Sequence, residues 1–128
     1  MKLTHTTLFV PEIARALVFY EEAFGMKAKL VHVGGQYAEL EAGGTTLAFA
    51  AHALARGIVG RAYVEATRGG PPLGVELALE PDDVAAAFAR AVAAGAEPVS
   101  PPEAKPWGQL VAYVRDLNGF LISLAREL

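Results

Sequence analysis

The chain has 128 residues, the size of one ordinary domain with enough length to bury an apolar core. Hydrophobic residues make up 53% and charged residues 20%, a globular balance that argues against disorder; the absence of cysteine excludes disulfide frameworks, thiolate catalysis and cysteine-rich zinc sites. A formal net charge of −3 speaks against a nucleic-acid partner. No apolar run approaches the ~18–20 residues of a membrane span, and Met1-Lys2-Leu3-Thr4-His5 lacks the apolar stretch of a signal peptide. The expectation is a cytoplasmic protein with neither nucleic acid nor membrane as partner.

Residues 3–10 (LTHTTLFV) mix threonine with large apolar residues, as a half-buried strand does. Pro11-Glu12 then opens a helical pattern with Ile13, Ala16, Leu17, Tyr20 and Phe24 on one face, and Gly25 is placed to end it. Leu17, Tyr20, Phe24 and, further on, Phe88 are assigned to the core. Strand-like runs follow over 27–33, 36–41 and 45–50, separated by the turn signals Gly34-Gly35 and Gly43-Gly44. Residues 51–72 carry Arg56, Arg61 and Arg68 against one acid, Glu65, and end in Gly69-Gly70-Pro71-Pro72. They read as a plain linker with one helical turn around 53–56, or as a mobile lid.

The same order recurs after residue 73. A strand over 74–79 leads to Pro81-Asp82-Asp83, a helix start with acid near its N-terminus. Val84, Ala87, Phe88, Ala91 and Val92 form the apolar stripe, and Gly95 stops it. Strands are expected over 97–100, 109–115 and 120–125, with a hairpin turn at Asp116-Leu117-Asn118-Gly119. Laid over each other, the halves place His5 on Glu76, Ile13 on Val84, Gly25 on Gly95 with a one-residue slip, and 44–49 on 119–124. Each half is a β-α-β-β-β module that cannot bury its sheet alone. The modules span 1–50 and 73–128 of a single domain, 1–128, joined by the connector 51–72.

Paired modules of this kind resemble the vicinal oxygen chelate superfamily, which holds glyoxalases, bleomycin-resistance proteins and extradiol dioxygenases. The resemblance is carried by LTHTTLFVPEIARALVFYEEAFGMK, GGTTLAFA, GVELALEPDDVAAAFARAVAAGAEPV and PWGQLVAYVRDLNGFLISL. It implies an α+β fold in which two pseudo-symmetric modules form a concave mixed sheet with helices on the outer face. It also implies that metal ligands, where members use them, come from the first and last strand of each module. Those positions are His5, Ala48, Glu76 and Ser123 here. Alanine cannot ligate and serine is a weak neutral donor, so the metal set is incomplete.

Strand alternation extends the concave face. Leu3, Thr7 and Phe9 share it with His5; Tyr37 and Glu39 share it with Thr46 and Ala48; Leu121 joins Ser123. The cavity then holds His5, Thr7, Tyr37, Glu39, Thr46, Glu76 and Ser123 among apolar walls, and Glu39 stands as a replacement for the missing ligand or as a plain strand carboxylate beside Glu41. Trp107, between Lys105-Pro106 and Gly108, reads equally as an aromatic wall or a loop anchor. His32 and His52 are assigned to the surface. The phosphate-binding loop, the His-Glu-x-x-His helix and the nucleophile elbow are all missing.

Two functions stand against each other. The first is a small-molecule binding protein similar to the bleomycin-resistance type, sequestering a drug or metabolite without a catalytic metal or other cofactor. Glu39 and Glu76 would favour a cationic guest, and Phe9, Tyr37 and Trp107 would stack on it, while the connector arginines point toward an anion. The second is a glyoxalase-like lyase or isomerase with a divalent metal on His5 and Glu76, and Glu39 or Glu76 moving the proton. A ligand-free interaction module is a third. Open modules of this kind complete a cavity by symmetric pairing, so a homodimer is expected.

Overall fold

The computed structural model describes residues 1–128. Its elements are β1 (His5–Val10), α1 (Ile13–Phe24), β2 (Ala28–Val31), β3 (Tyr37–Ala42), β4 (Thr45–Ala51), α2 (His52–Val59), β5 (Glu76–Leu79), α3 (Val84–Ala93), β6 (Glu97–Ala104), β7 (Gln109–Arg115) and β8 (Leu121–Glu127). The chain forms two compact units, Met1–Glu21 with Gly25–Glu65, and Glu22–Phe24 with Ala66–Leu128. Each carries a four-stranded sheet, β1-β4-β3-β2 in the first and β5-β8-β7-β6 in the second. In each, the outer pair β1/β4 or β5/β8 is parallel and the other pairs are antiparallel. The β-α-β-β-β order is therefore present twice with the same strand arrangement, an α+β fold.

In the first unit, alternation divides β1 cleanly: Leu8 and Val10 are buried, while His5 and Thr7 are exposed. Ala38 and Leu40 of β3 and Leu47 and Phe49 of β4 are also buried. Tyr20 of α1 meets Phe49 edge-on, with ring centroids 4.9 Å apart. Each such aromatic, fully buried, is worth about 1.5–3 kcal/mol of hydrophobic stabilisation. The helix buries Ile13, Ala16, Phe19, Tyr20 and Ala23, while Leu17 and Phe24 are only half-buried. The stripe expected from Leu17 and Phe24 is thus rotated by one position, because side chains at 13, 16, 20 and 23 already fill the i, i+3, i+7 row. Gly25 adopts φ 68° and closes α1: its N–H donates to the Glu21 carbonyl, and the Met26 N–H that follows donates to that of Tyr20.

In the second unit, Asp83 caps α3 by accepting from the Ala86 N–H at 3.0 Å. The helix packs on β6, β7 and β8, over a core that includes Val114, Ile122 and Leu124. Asp116 makes the β7–β8 turn: its Oδ1 accepts from the Asn118 and Phe120 N–H groups at 2.9 Å each.

Several element bounds differ from expectation. β6 has eight residues, EPVSPPEA, rather than the four of 97–100. Its prolines are tolerated because it is an edge strand, and bulges interrupt its pairing with β7 at Pro98/Ser100 and Ser100/Glu103. β2 is shorter than 27–33, β5 starts at Glu76 instead of 74, and β8 runs on to Glu127. The connector holds an eight-residue helix, α2, where a single turn was expected. It is also divided: residues through Glu65 go with the first unit, and those from Ala66 with the second.

Candidate functional site

The face of the first sheet opposite Leu8 and Val10 is set by register. His5, Thr7 and Phe9 of β1 lie beside Thr46, Ala48 and Ala50 of β4, and these face Glu41, Glu39 and Tyr37 of β3. His5 Nε2 is 3.1 Å from Glu39 Oε2, and its Nδ1 is 3.0 Å from the Thr4 hydroxyl. The Tyr37 hydroxyl donates to the same Glu39 oxygen at 2.8 Å. Since β4 lies between β1 and β3, the imidazole and carboxylate meet over a gap of about 10 Å between strand axes. A methyl group at Ala48 leaves room for that crossing, and Ala48 is fully covered beneath it. Lys29 brings an ammonium to the same region, donating to the Thr46 hydroxyl at 2.9 Å.

These contacts define the electrostatics. The Tyr37 hydrogen bond, then the His5 bond and the nearby His5 and Lys29 charges, hold the Glu39 carboxyl below the ordinary glutamate range against the opposing effect of its partial desolvation. Tyr37 is pushed up to about 12, by burial first and then by the hydrogen bond and charge of Glu39. Glu39 is therefore a standing anion. Both its bonds fall on Oε2, which leaves Oε1 to a guest.

The second unit repeats the device with other residues. Glu76 and Ala78 of β5 lie beside Leu121 and Ser123 of β8, which face Arg115 and Tyr113 of β7. Glu76 hydrogen-bonds Tyr113 across β8, and the Tyr113 phenol is raised by burial first, then by the charge and bond of Glu76. Ser123, in the place of Ala48, is buried. Trp107 is 67% exposed and donates from Nε1 to Gln109 Oε1 at 2.9 Å, a contact inside its own hairpin.

The connector adds a group that strand alternation does not reveal. Tyr63 packs on Phe9 with ring centroids 5.0 Å apart, so it roofs one end of the His5 face. Its hydroxyl is 2.6 Å from His52 Nδ1, His52 Nε2 lies 3.6 Å from Glu65 Oε1, and Arg56 pairs with Glu65 Oε2. His52, expected on the surface, is instead buried, with Tyr63 bonded to Nδ1 and the Glu65 carboxylate beside Nε2. A sequence signal for Tyr63 exists only in its type: it is the one Phe, Trp or Tyr in the connector 51–72. A separate open groove of about 730 Å³ lies at the ends of β1 and β4, lined by Pro11, Glu12, Arg15, Gln36, His52 and Arg56 among others. None of the expected site residues lines it.

The sequence model of the Glyoxalase/Bleomycin resistance protein/Dioxygenase superfamily matches residues 2–124. The chain belongs to that superfamily. Solved structures agree. A glyoxalase-related enzyme from Fulvimarina pelagi is 25% identical with a TM-score of 0.84, over 98% of this chain and 87% of that one. TioX from Micromonospora sp. ML1 is 28% identical with a TM-score of 0.73, over all of both chains. A protein of unknown function from Agrobacterium tumefaciens str. C58 is 28% identical with a TM-score of 0.78, over 100% of this chain and 95% of that one. No curated protein matches the sequence.

The superfamily raises the question of a metal, and the side chains do not fit one. At the four implied positions Ala48 offers no donor atom, Ser123 is a buried neutral hydroxyl, and His5 directs its Nε2 at Glu39. No three His, Asp or Glu side chains converge as a metal-binding group, and one imidazole with one carboxylate is too small a set for a stable catalytic ion. Thr7 is exposed on the His5 face, and Thr46, half-buried there, accepts from Lys29. No helix is long and apolar enough to cross a membrane.

Proposed function

We propose that the protein binds a small aromatic cation on the His5 face and sequesters it without a catalytic metal. The observation that carries this reading is Glu39, an ionised carboxylate with one oxygen engaged by Tyr37 and His5 and the other unbonded. Around it stand the aromatic rings of Phe9, Tyr37 and Tyr63, on which a planar guest stacks. Glu76 gives the second unit its own carboxylate. In this reading the working form is a homodimer, whose symmetric pairing closes the ligand space.

The test uses proflavine, a planar aromatic cation whose fluorescence reports binding. The expected result is saturable binding by the wild type, weakened about tenfold or more by Glu39→Gln, as for a charge-assisted contact, with the dye recovered unchanged. No binding of proflavine or of a panel of other aromatic cations would overturn the reading. A parallel titration of chelator-treated protein with nickel, zinc, cobalt and manganese follows the melting temperature, since a ligand that binds only the native state raises it. Near-stoichiometric metal binding that disappears in His5→Ala and Glu39→Ala would replace sequestration by the lyase reading, which the contact between His5 and Glu39 alone favours.

A further inference from the structure

Tyr63, His52, Glu65 and Arg56 form a chain of polar contacts that ends on the His5 face. His52 is 9% exposed and lies nearly parallel to Tyr63, the rings 27° apart. Its Nε2 faces the Glu65 carboxylate at 3.6 Å, and Glu65 is itself fixed by Arg56, one turn along α2. A carboxylate beside Nε2 keeps the proton on that nitrogen, so in the neutral ring Nδ1 is the acceptor. The Tyr63 hydroxyl, 2.6 Å from Nδ1, then donates to His52 and presents only oxygen lone pairs to the His5 face. When His52 takes a second proton, Nδ1 becomes a donor. The Tyr63 oxygen must accept from it, and the phenolic O–H turns outward.

We propose that Tyr63 is a ligand-contacting residue of the His5 face and that His52 is its positioning residue, setting the hydroxyl as acceptor toward the ligand when neutral and as donor when protonated. The proposal rests on the ligand reading given above and refines its substrate class: at neutral His52 the site selects an aromatic cation that carries N–H donors. The charged and titratable groups around His52 are Tyr63, Glu65 and Arg56, with Glu12 and Arg15 on the far side of the groove that His52 also lines. On the binding face itself His5 contacts Glu39, so its titration must be separated from that of His52.

Two measurements decide the matter. In the protein without ligand, long-range ¹H–¹⁵N spectra of the imidazoles give the tautomer of His52; the expected neutral form carries its proton on Nε2, and Tyr63→Phe shifts the Nδ1 resonance. A neutral His52 protonated on Nδ1 would overturn the proposal whatever the ligand. Proflavine, whose amino groups donate hydrogen bonds, is then titrated across the pH at which His52 is seen to protonate. Affinity is expected to fall about five- to tenfold as His52 gains its proton, the worth of one hydrogen bond. The fall persists in His5→Asn and vanishes in Tyr63→Phe. Binding by Tyr63→Phe that keeps the full pH dependence would also overturn it. Failure of the wild type to bind proflavine, with the expected tautomer in place, would instead overturn the ligand reading and with it the role of Tyr63 as a contact.

Discussion

Glu39 and Ala48 face each other across β3 and β4, and the smallness of the alanine is what allows His5 to reach the carboxylate from β1. The position that the superfamily resemblance assigns to a metal ligand is thus the floor of a hydrogen-bonded pair. In the second sheet Ser123 has the same place under Glu76 and Tyr113.

Glu39 is expected to titrate below the ordinary glutamate value of 4.5. Because the folded state binds this proton less readily than the unfolded state, the carboxylate stabilises the fold at neutral pH, and this stabilisation is lost as pH falls through the lowered folded value. Tyr37→Phe removes the principal cause and moves the titration of Glu39 upward. Carboxyl ¹³C shifts in the two proteins measure it; an unmoved Glu39 in the variant would contradict the assignment of cause.

At alkaline pH the sign reverses. The Tyr37 phenol keeps its proton up to about 12 in the fold, against 10.0 when free, so the folded state holds a proton that the unfolded state has released. Its contribution is complete below pH 10 and is lost as pH rises toward 12. In the absorbance titration of the four tyrosines, the amplitude near pH 12 is expected to fall in Tyr37→Phe.

Arg115 engages three main-chain carbonyls from two stretches of the chain. It donates from Nε to the Gly119 carbonyl at 3.0 Å, from Nη1 to Gly70 at 2.7 Å and from Nη2 to Thr67 at 2.9 Å. Arg115→Ala leaves part-buried carbonyls unpaired and is expected to cost about 3 kcal/mol in urea unfolding. Arg115→Lys rescues little, since an ammonium cannot reproduce the fork. Gly119→Ala is expected to lower stability by a similar route: its Cβ would stand 2.5 Å from the Thr67 oxygen at φ 92°. Limited proteolysis of both variants should open the chain near 66–73 first.

Light scattering on the eluted protein is expected to give twice the chain mass of 13.5 kDa. A particle of the single-chain mass at micromolar concentration would remove the dimer from the proposal while leaving the His5 face as it is.

Much of this was legible beforehand, for reasons that can be named. The two modules follow from periods of 2 and 3.6 punctuated by glycines; period 2, with pairing across Gly43-Gly44 and the superfamily resemblance, puts His5, Thr7, Phe9, Tyr37 and Glu39 on one face. That His5 and Glu39 touch was not legible, because contact across an intervening strand depends on side-chain reach and on the volume at Ala48. The sequence pattern ends β6 at Ser100 because Pro101 and Pro102 suppress strand signals that an edge position forgives. Tyr63 carries no periodic signal in the connector, and the surface assignment of His52 fails because histidine burial depends on partners distant in the chain, here Tyr63 and Glu65.

The grip of Arg115 on the connector is made entirely through main-chain oxygens. The path of the segment from Thr67 to Gly70 is therefore held without reference to the identity of its exposed side chains. Thr67 and Arg68 are exposed, Arg68 with an ion pair to Glu97, and exchanging them leaves the clasp's acceptors in place. This stretch is a tolerant attachment point, where a fluorophore, an affinity handle or a new recognition side chain can be mounted on a backbone already locked in position.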